Sequence, residues 1–465
     1  MSENDDVEVR ARKSYWLPIL LVVFGMPILL IGVAVALLAW RDSAARSRLE
    51  QRIEVLQAEG MPVDEASLNA FYQSQTSDEQ TEAWEQLLDE MKAEAFLSST
   101  SGVPVFDGNL SSEQYFVAPG EPWEYEKRTR EFLEQRSDLH DRAMRLSMRA
   151  IPTRWDVRLS FGGDLTRTQE LRSVERLLSL RGQLAIYDSD SAATTRAINA
   201  LWRLPTVTAG EPFLISQLVR SAIGGRATLL LKNALEHGVL RQHEIEMLLP
   251  QVLEGTIVGS SWRMGIIGER ALAMPLIRGI SVGEEHPVTS LPFRSSDANY
   301  YLDITDRMIE ISSADPVELY NKARNLDKEL GLERADMGFL AMFDTMLSTT
   351  VVPSLANVAV AHSSSAFQNR LAALAMGVRL YEYEHGEFPE KLVDVAEFGA
   401  DATKLMPPGG EPFGYRREGG GSATLWGFEV GSSKQAVVPE SPPVKAAGPP
   451  NSTLEERWVY RLRTM

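Results

Sequence analysis

Apolar positions change their spacing along the chain, and each spacing predicts a different element. From Trp16 to Trp40 the stretch WLPILLVVFGMPILLIGVAVALLAW carries no charge. Such a run exceeds the roughly 20 apolar residues that a helix needs to cross a bilayer, so residues 16–40 are expected to form a single transmembrane helix. Tyr15, Trp16 and Trp40 lie at its two ends, where amphipathic rings favour the headgroup region. Gly25 and Pro27 are tolerated in lipid and predict a kink. The run is too long for the core of a cleaved signal peptide and no clear A-x-A site follows it, so it reads as an uncleaved signal anchor behind a short tail, residues 1–15.

Beyond the membrane segment the spacing becomes helical. Leu49, Ile53 and Leu56 recur at i, i+4 and i+7, which predicts an amphipathic continuation of the anchor closed by Gly60. A short helix follows Pro62, and another is expected over Thr81 to Phe96, where Trp84, Leu87, Leu88 and Met91 share a face. Residues 41–97 thus read as a juxtamembrane helical stalk. Residues 98–121 are rich in Ser, Gly and Pro and read as a linker.

Residues 122–396 read as a helical domain. Apolar residues recur every three or four positions through Met148, then over Leu165 to Tyr187, Ala192 to Trp202 and Pro212 to Ile223. A further stripe, Leu230, Leu231, Ala234 and Leu235, stops at His237-Gly238, which supplies a left-handed cap before a helix over Arg241 to Leu253. After a looser stretch from Ser281 to Ser296, helices are expected over Ala298 to Ser312, Pro316 to Leu330 and Ala335 to Met346. The longest is predicted over Leu355 to Tyr383, from the stripe Phe367, Leu371, Leu374, Val378 and Tyr381, with His385-Gly386 ending it.

The last part, residues 397–465, changes texture. FGYRRE, a GGGS turn at 419–422 and ATLWGFEV predict a β-hairpin, because glycines free the turn and the flanks are aromatic and β-branched. Residues 432–450 carry no pattern and read as a flexible excursion. RWVYRL, Arg457 to Leu462, is expected to return as a third strand, since an isolated hairpin is marginal. The fold class is therefore mainly α: an N-terminal transmembrane helix, a multi-helical soluble domain and a small C-terminal antiparallel hairpin or three-stranded sheet.

Composition narrows the functional classes. The net charge of −17 and pI near 5.0 speak against a nucleic-acid surface, which needs clustered Lys and Arg. The chain has no cysteine, which removes disulfides, thiolate nucleophiles and cysteine-based metal sites. Flanking charges do not separate the two orientations: Arg10, Arg12 and Lys13 stand on one side, Arg41, Arg46, Arg48 and Arg52 on the other.

Candidate chemistry is sparse. The histidines are His140, His237, His243, His286, His362 and His385, and none forms the H-E-x-x-H pair of a helical zinc site. His243-Glu244-Ile245-Glu246 points its side chains in different directions on a helix and reads as a charged face. His362 with Ser363, Ser364 and Ser365 reads as a polar helix segment, because neighbours in sequence cannot meet as a triad. Glu284-Glu285 reads as solvated surface, and the glycines at 419–421 lack the Lys of a phosphate loop. Met337 to Met346 has core spacing, with a peptide groove as the sharper alternative. The sequons at Asn109 and Asn451 say nothing without glycosylation. No catalytic, cofactor-binding or metal-ligating residue is assigned, and no cofactor is expected.

Two stretches carry a resemblance. EVLQAEGMPVDEASLNAFYQ, residues 54–73, and NRLAALAMGVRLYEYEHGEFPEKLVDV with PPGGEPFGYRREGGGSATLWGFEV, residues 369–395 and 407–430, resemble a family of uncharacterised membrane-anchored proteins of planctomycete-type bacteria. The family's pattern is an alanine-rich helix, a Tyr-x-x-x-His/Asn-Gly-x-x-Pro-x-x-Leu turn, a Pro-Phe strand entry and a final short strand. This chain has Pro412-Phe413 and Tyr415 but lacks the family's Asp before that Pro-Phe. The Gly-x-x-Pro unit is also similar to one in type II secretion pseudopilins, where it follows the membrane helix directly. The resemblance implies a cytoplasmic N-terminus, with the C-terminal domain outside the inner membrane. The expected role is a non-catalytic binding or scaffolding protein of the cell envelope, with the lipid bilayer and an envelope protein as partners. The rivals are an extracytoplasmic hydrolase whose site converges only in three dimensions and a secretion or pilus component.

Overall fold

The computed structural model describes residues 26–106, 116–156, 159–160, 165–257, 259–278, 294–338, 345–419, 421–430, 436–442 and 459–464. These residues are mainly helical, with a small three-stranded antiparallel sheet at the C-terminus. Residues 1–25 lie outside them, so of the 16–40 segment only the helical backbone from Met26 onward is described. Among the described residues no helix is long and apolar enough to cross a membrane.

Helix α1, Met26–Ala58, ends at Gly60, whose φ of 72° suits the residue without a Cβ. Its apolar stripe is used. Leu49 and Ile53 are buried with Met274, Ile277, Ala298, Tyr301 and Leu302 of the body, and Arg52 donates to Asp303 at 2.6 Å and Asp306 at 2.7 Å. The chain then forms α2 (Glu65–Gln75), α3 (Thr81–Lys92) and α4 (Glu94–Ser99). One helix was expected from Thr81 to Phe96. It breaks at Ala93, where ψ reaches 143°, and this turns Phe96 toward Phe106 and Phe132, with ring centroids 5.7 and 6.0 Å away. Residues 98–121 are accordingly more than a surface connection, because Val103 is fully buried and Phe106 joins this aromatic cluster.

Helices α5 (Glu126–Gln135), α6 (Ser137–Met148), α7 (Thr166–Tyr187) and α8 (Ser191–Arg203) follow the predicted stripes. Helix α9, Leu214–Glu236, joins two stripes that read as separate elements. Gly224 and Gly225 each cost about 1 kcal/mol of helix propensity relative to Ala. Burial of Val219 and Ile223 on one side, and of Ala227, Leu230 and Leu231 on the other, outweighs that. With α7 and α14 (Met346–His385) it forms the centre of the molecule, where Phe367, Leu371, Leu374 and Val378 are fully buried.

After α10 (Gln242–Glu254), helix α11 (Gly259–Arg278) occupies a stretch to which the sequence reading assigns no element. The reason is burial on nearly all sides: Trp262, Ile266, Ile267, Ala271, Leu272, Met274 and Ile277 leave no continuous polar face. Helices α12 (Arg294–Glu310) and α13 (Pro316–Asp336) come next. The helix expected over Ala335 to Met346 is not a single element, since α13 ends at Asp336, Met337 is extended and α14 starts at Met346. Residues 339–344 lie outside the described set.

Gly386, at φ 73°, closes α14 as anticipated. Strands β1 (Gly414–Glu418), β2 (Ser422–Trp426) and β5 (Val459–Arg463) form the sheet in the order β1-β2-β5, with Gly414 opposite Trp426 and Trp426 opposite Val459. Two residues of the segment read as flexible, Ala436–Val437 (β4), pair with Glu429–Val430 (β3). The sheet is fastened by Arg379 of α14, which donates to the carbonyls of Leu235 in α9 and Arg463 in β5, both at 2.7 Å.

Candidate functional site

A polar concavity of about 630 Å³ lies where α9, α10, α11 and α14 meet the short 3-10 turn Leu204–Thr208. Its floor is tied by Asn369 of α14, which donates to Gly255 O at 2.7 Å and accepts from Thr228 at 2.8 Å. Gly255 permits this approach: a Cβ there would stand 2.6 Å from the Asn369 amide nitrogen.

At the centre is His362. Its Nδ1 lies 3.0 Å from Ser221 Oγ of α9, and its Nε2 lies 2.9 Å from Ser261 Oγ in the first turn of α11. These partners are 141 and 101 residues away in sequence. Ser363 and Ser364, its neighbours, instead donate to carbonyls of their own helix, Ala359 and Val360. A neutral imidazole has one N–H and one lone pair. Between two hydroxyls, one serine must therefore donate to the ring and the other accept from it.

Arg220 stands on the same wall. Its Nε donates to Pro205 O at 3.1 Å and its Nη1 to Gln217 Oε1 at 2.6 Å. Burial pushes its pKa down to about 10, against the attraction of nearby Glu211. Glu211 lies behind the wall, fully enclosed, accepting from Trp155 Nε1 and Thr168 Oγ1 at 2.7 Å each and from Ser216. Desolvation raises its pKa, and the three donors oppose that rise. Arg203 and Glu254 line the mouth.

The other residues weighed from sequence do not join this cleft. Glu244 is a helix cap that accepts from Arg241 N at 2.8 Å. His140 sits 3.2 Å from Asp141, its pKa lowered by burial. His237 caps α9, also lowered by burial. His385 stacks on Tyr381 and meets Glu397 at 3.3 Å. Glu284, Glu285, His286, Asn109 and Asn451 lie outside the described residues, as does most of Met337 to Met346. Among the described residues no group of three or more acidic or His side chains is placed to hold a metal.

Ser221, Ser261 and Arg220 were missed because nothing local marks them. Arg220-Ser221 and Ser260-Ser261 are ordinary short polar steps on largely apolar helices, and only the packing of α9, α11 and α14 brings them together. No protein-family model, curated protein or solved structure matches the chain.

Proposed function

We propose that the chain is a binding or scaffolding protein of the cell envelope, anchored in the inner membrane by residues 16–40 with its helical body outside. The observation that carries this reading is the continuity of α1. One helix starts at Met26, inside the apolar run, and reaches Ala58, seated on the body by Leu49, Ile53 and Arg52. A helix so seated holds the body at a fixed angle beneath the bilayer, as suits a protein that presents a surface to envelope partners. The resemblance to membrane-anchored planctomycete-type proteins supports the same sidedness. The acidic character of the chain disfavours nucleic acid as a partner.

The bridge Ser221–His362–Ser261 favours a second reading, an acyl hydrolase with one serine as nucleophile. Each ring nitrogen meets a hydroxyl rather than a carboxylate, however, and a neutral hydroxyl stabilises an imidazolium far less than the aspartate of a triad does. Binding is therefore the primary reading. Labelling by a fluorophosphonate probe that disappears in Ser261→Ala or Ser221→Ala would reverse this order.

The test is fractionation followed by protease treatment of intact spheroplasts. The chain should stay in the membrane pellet after an alkaline wash, and the body should be digested without lysis. Release by the wash would remove the anchor, and protection until lysis would reverse the sidedness.

A further inference from the structure

We infer that the cleft around Arg220 and His362 is an oxyanion site, which holds the carboxylate or phosphate group of a small ligand. It rests on the binding reading above and names the chemistry that would be bound.

In a chain of net charge −17, the cleft wall carries two guanidinium groups, Arg203 and Arg220, against one carboxylate, Glu254. Arg220 is held rigidly, but by neutral acceptors, the Pro205 carbonyl and the Gln217 side chain. Its Nη2 has no hydrogen-bond acceptor among the described residues. The nearest acid, Glu211, is committed to Trp155, Thr168 and Ser216. A half-buried arginine without a carboxylate bonded to it is an incomplete electrostatic arrangement, and an oxyanion completes it with charge-assisted hydrogen bonds.

Two further donors converge there. Ser221 Oγ meets His362 Nδ1 at 3.0 Å, and with the imidazole N–H directed at it the serine keeps its own O–H proton to give to a ligand oxygen. Ser260 and Ser261 belong to the first turn of α11, a 20-residue helix, whose leading amide groups have no acceptor within the helix and carry the positive end of its dipole. Both serines line the cleft beside Arg220.

The full-length protein in detergent micelles should be titrated separately with inorganic phosphate and with acetate at constant ionic strength, with chloride as control. Binding is read by calorimetry and by the fluorescence of Trp202, which lines the cleft. We expect saturable binding of at least one of the two anions. Phosphate alone would point to a phosphorylated sugar or headgroup, acetate alone to a carboxylate ligand. Arg220→Gln should weaken binding by about tenfold or more, the loss expected for a charge-assisted hydrogen bond. Since Arg220 packs near Glu211, a melting curve is recorded alongside, and the exposed Arg203→Gln and the small change Ser221→Ala provide variants that leave the core intact. Each should weaken binding several-fold. The proposal is overturned if neither anion saturates, or if folded Arg220→Gln and Ser221→Ala both bind as tightly as the parent. Protease sidedness is independent of this result, so failure of the envelope reading would be seen there and failure of the oxyanion site here.

Discussion

Removing the guanidinium of Arg379 should unfold the junction between the helical body and the C-terminal sheet. The side chain is 1% exposed. It pairs with the buried carboxylate of Glu382, donates to Leu235 O and Arg463 O at 2.7 Å, and lies over the Phe388 ring at 5.5 Å. Arg379→Met keeps most of the aliphatic volume but takes away the guanidinium that pairs with the buried Glu382 carboxylate. Breaking one side of a buried pair costs about 3–5 kcal/mol. The Leu235 carbonyl still has Gly238 N at 3.2 Å, so its share of the loss is small, and we take about 4 kcal/mol as the expected change. Urea unfolding followed by circular dichroism and tryptophan fluorescence measures it. The double variant Arg379→Met/Glu382→Met removes the buried carboxylate as well and should recover at least half of the loss, because whole buried pairs are often replaced by apolar side chains at little cost. A loss below about 1 kcal/mol for the single variant, or no recovery in the double, would refute the electrostatic reasoning.

Three other perturbations test separate parts of the fold. Gly268→Ala would place a Cβ 1.5 Å from Pro212 O, so α11 must shift from the start of α9 at a cost of about 1–3 kcal/mol; an unchanged melting temperature would contradict the packing. Leu49→Asp should destabilise by about 3 kcal/mol through burial of a charge. Arg52→Ala, whose partners Asp303 and Asp306 are well exposed, should cost no more than about 1 kcal/mol; the reverse ranking would mean that charge, not the apolar seam, seats α1. Glu211 has its pKa raised by burial, so its folded form holds the proton more tightly than the unfolded form does. Its contribution to stability is therefore present below the ordinary glutamate pKa and lost as pH rises through the raised value. Urea midpoints measured across that range should fall less steeply with pH in Glu211→Gln, although Glu269, raised for the same reason, keeps part of the slope. An identical slope would remove Glu211 as a contributor.

What could be read in the sequence was what local periodicity encodes. The stripe Trp84-Leu87-Leu88-Met91 has a polar face opposite the apolar one and became the buried side of a helix, while Phe367-Leu371-Leu374-Val378 marked a helix that is buried on all sides over residues 366–380. Gly238 and Gly386 marked caps because only a left-handed residue ends those helices cheaply. Helix α11 was illegible because it is apolar nearly all round, and α9 was divided because Gly224-Gly225 resembles a break until packing outweighs it. Val103 and Phe106 gave no sign of burial within a Ser- and Gly-rich stretch. The cleft was legible least of all. His362 stood out only by rarity, and the partners that give it meaning come from helices whose sequence order carries no information about their spatial contact.

The most direct test of a body held outside the membrane uses the absence of native cysteine. Leu332, 59% exposed on α13, can be replaced as Leu332→Cys to give one thiol on the body. Intact spheroplasts are treated with a membrane-impermeant maleimide, and labelling is compared with that after lysis. We expect full labelling before lysis, with the labelled chain retained in the membrane pellet. Labelling only after lysis would contradict the extracytoplasmic assignment, and a labelled chain in the soluble fraction would contradict the anchor.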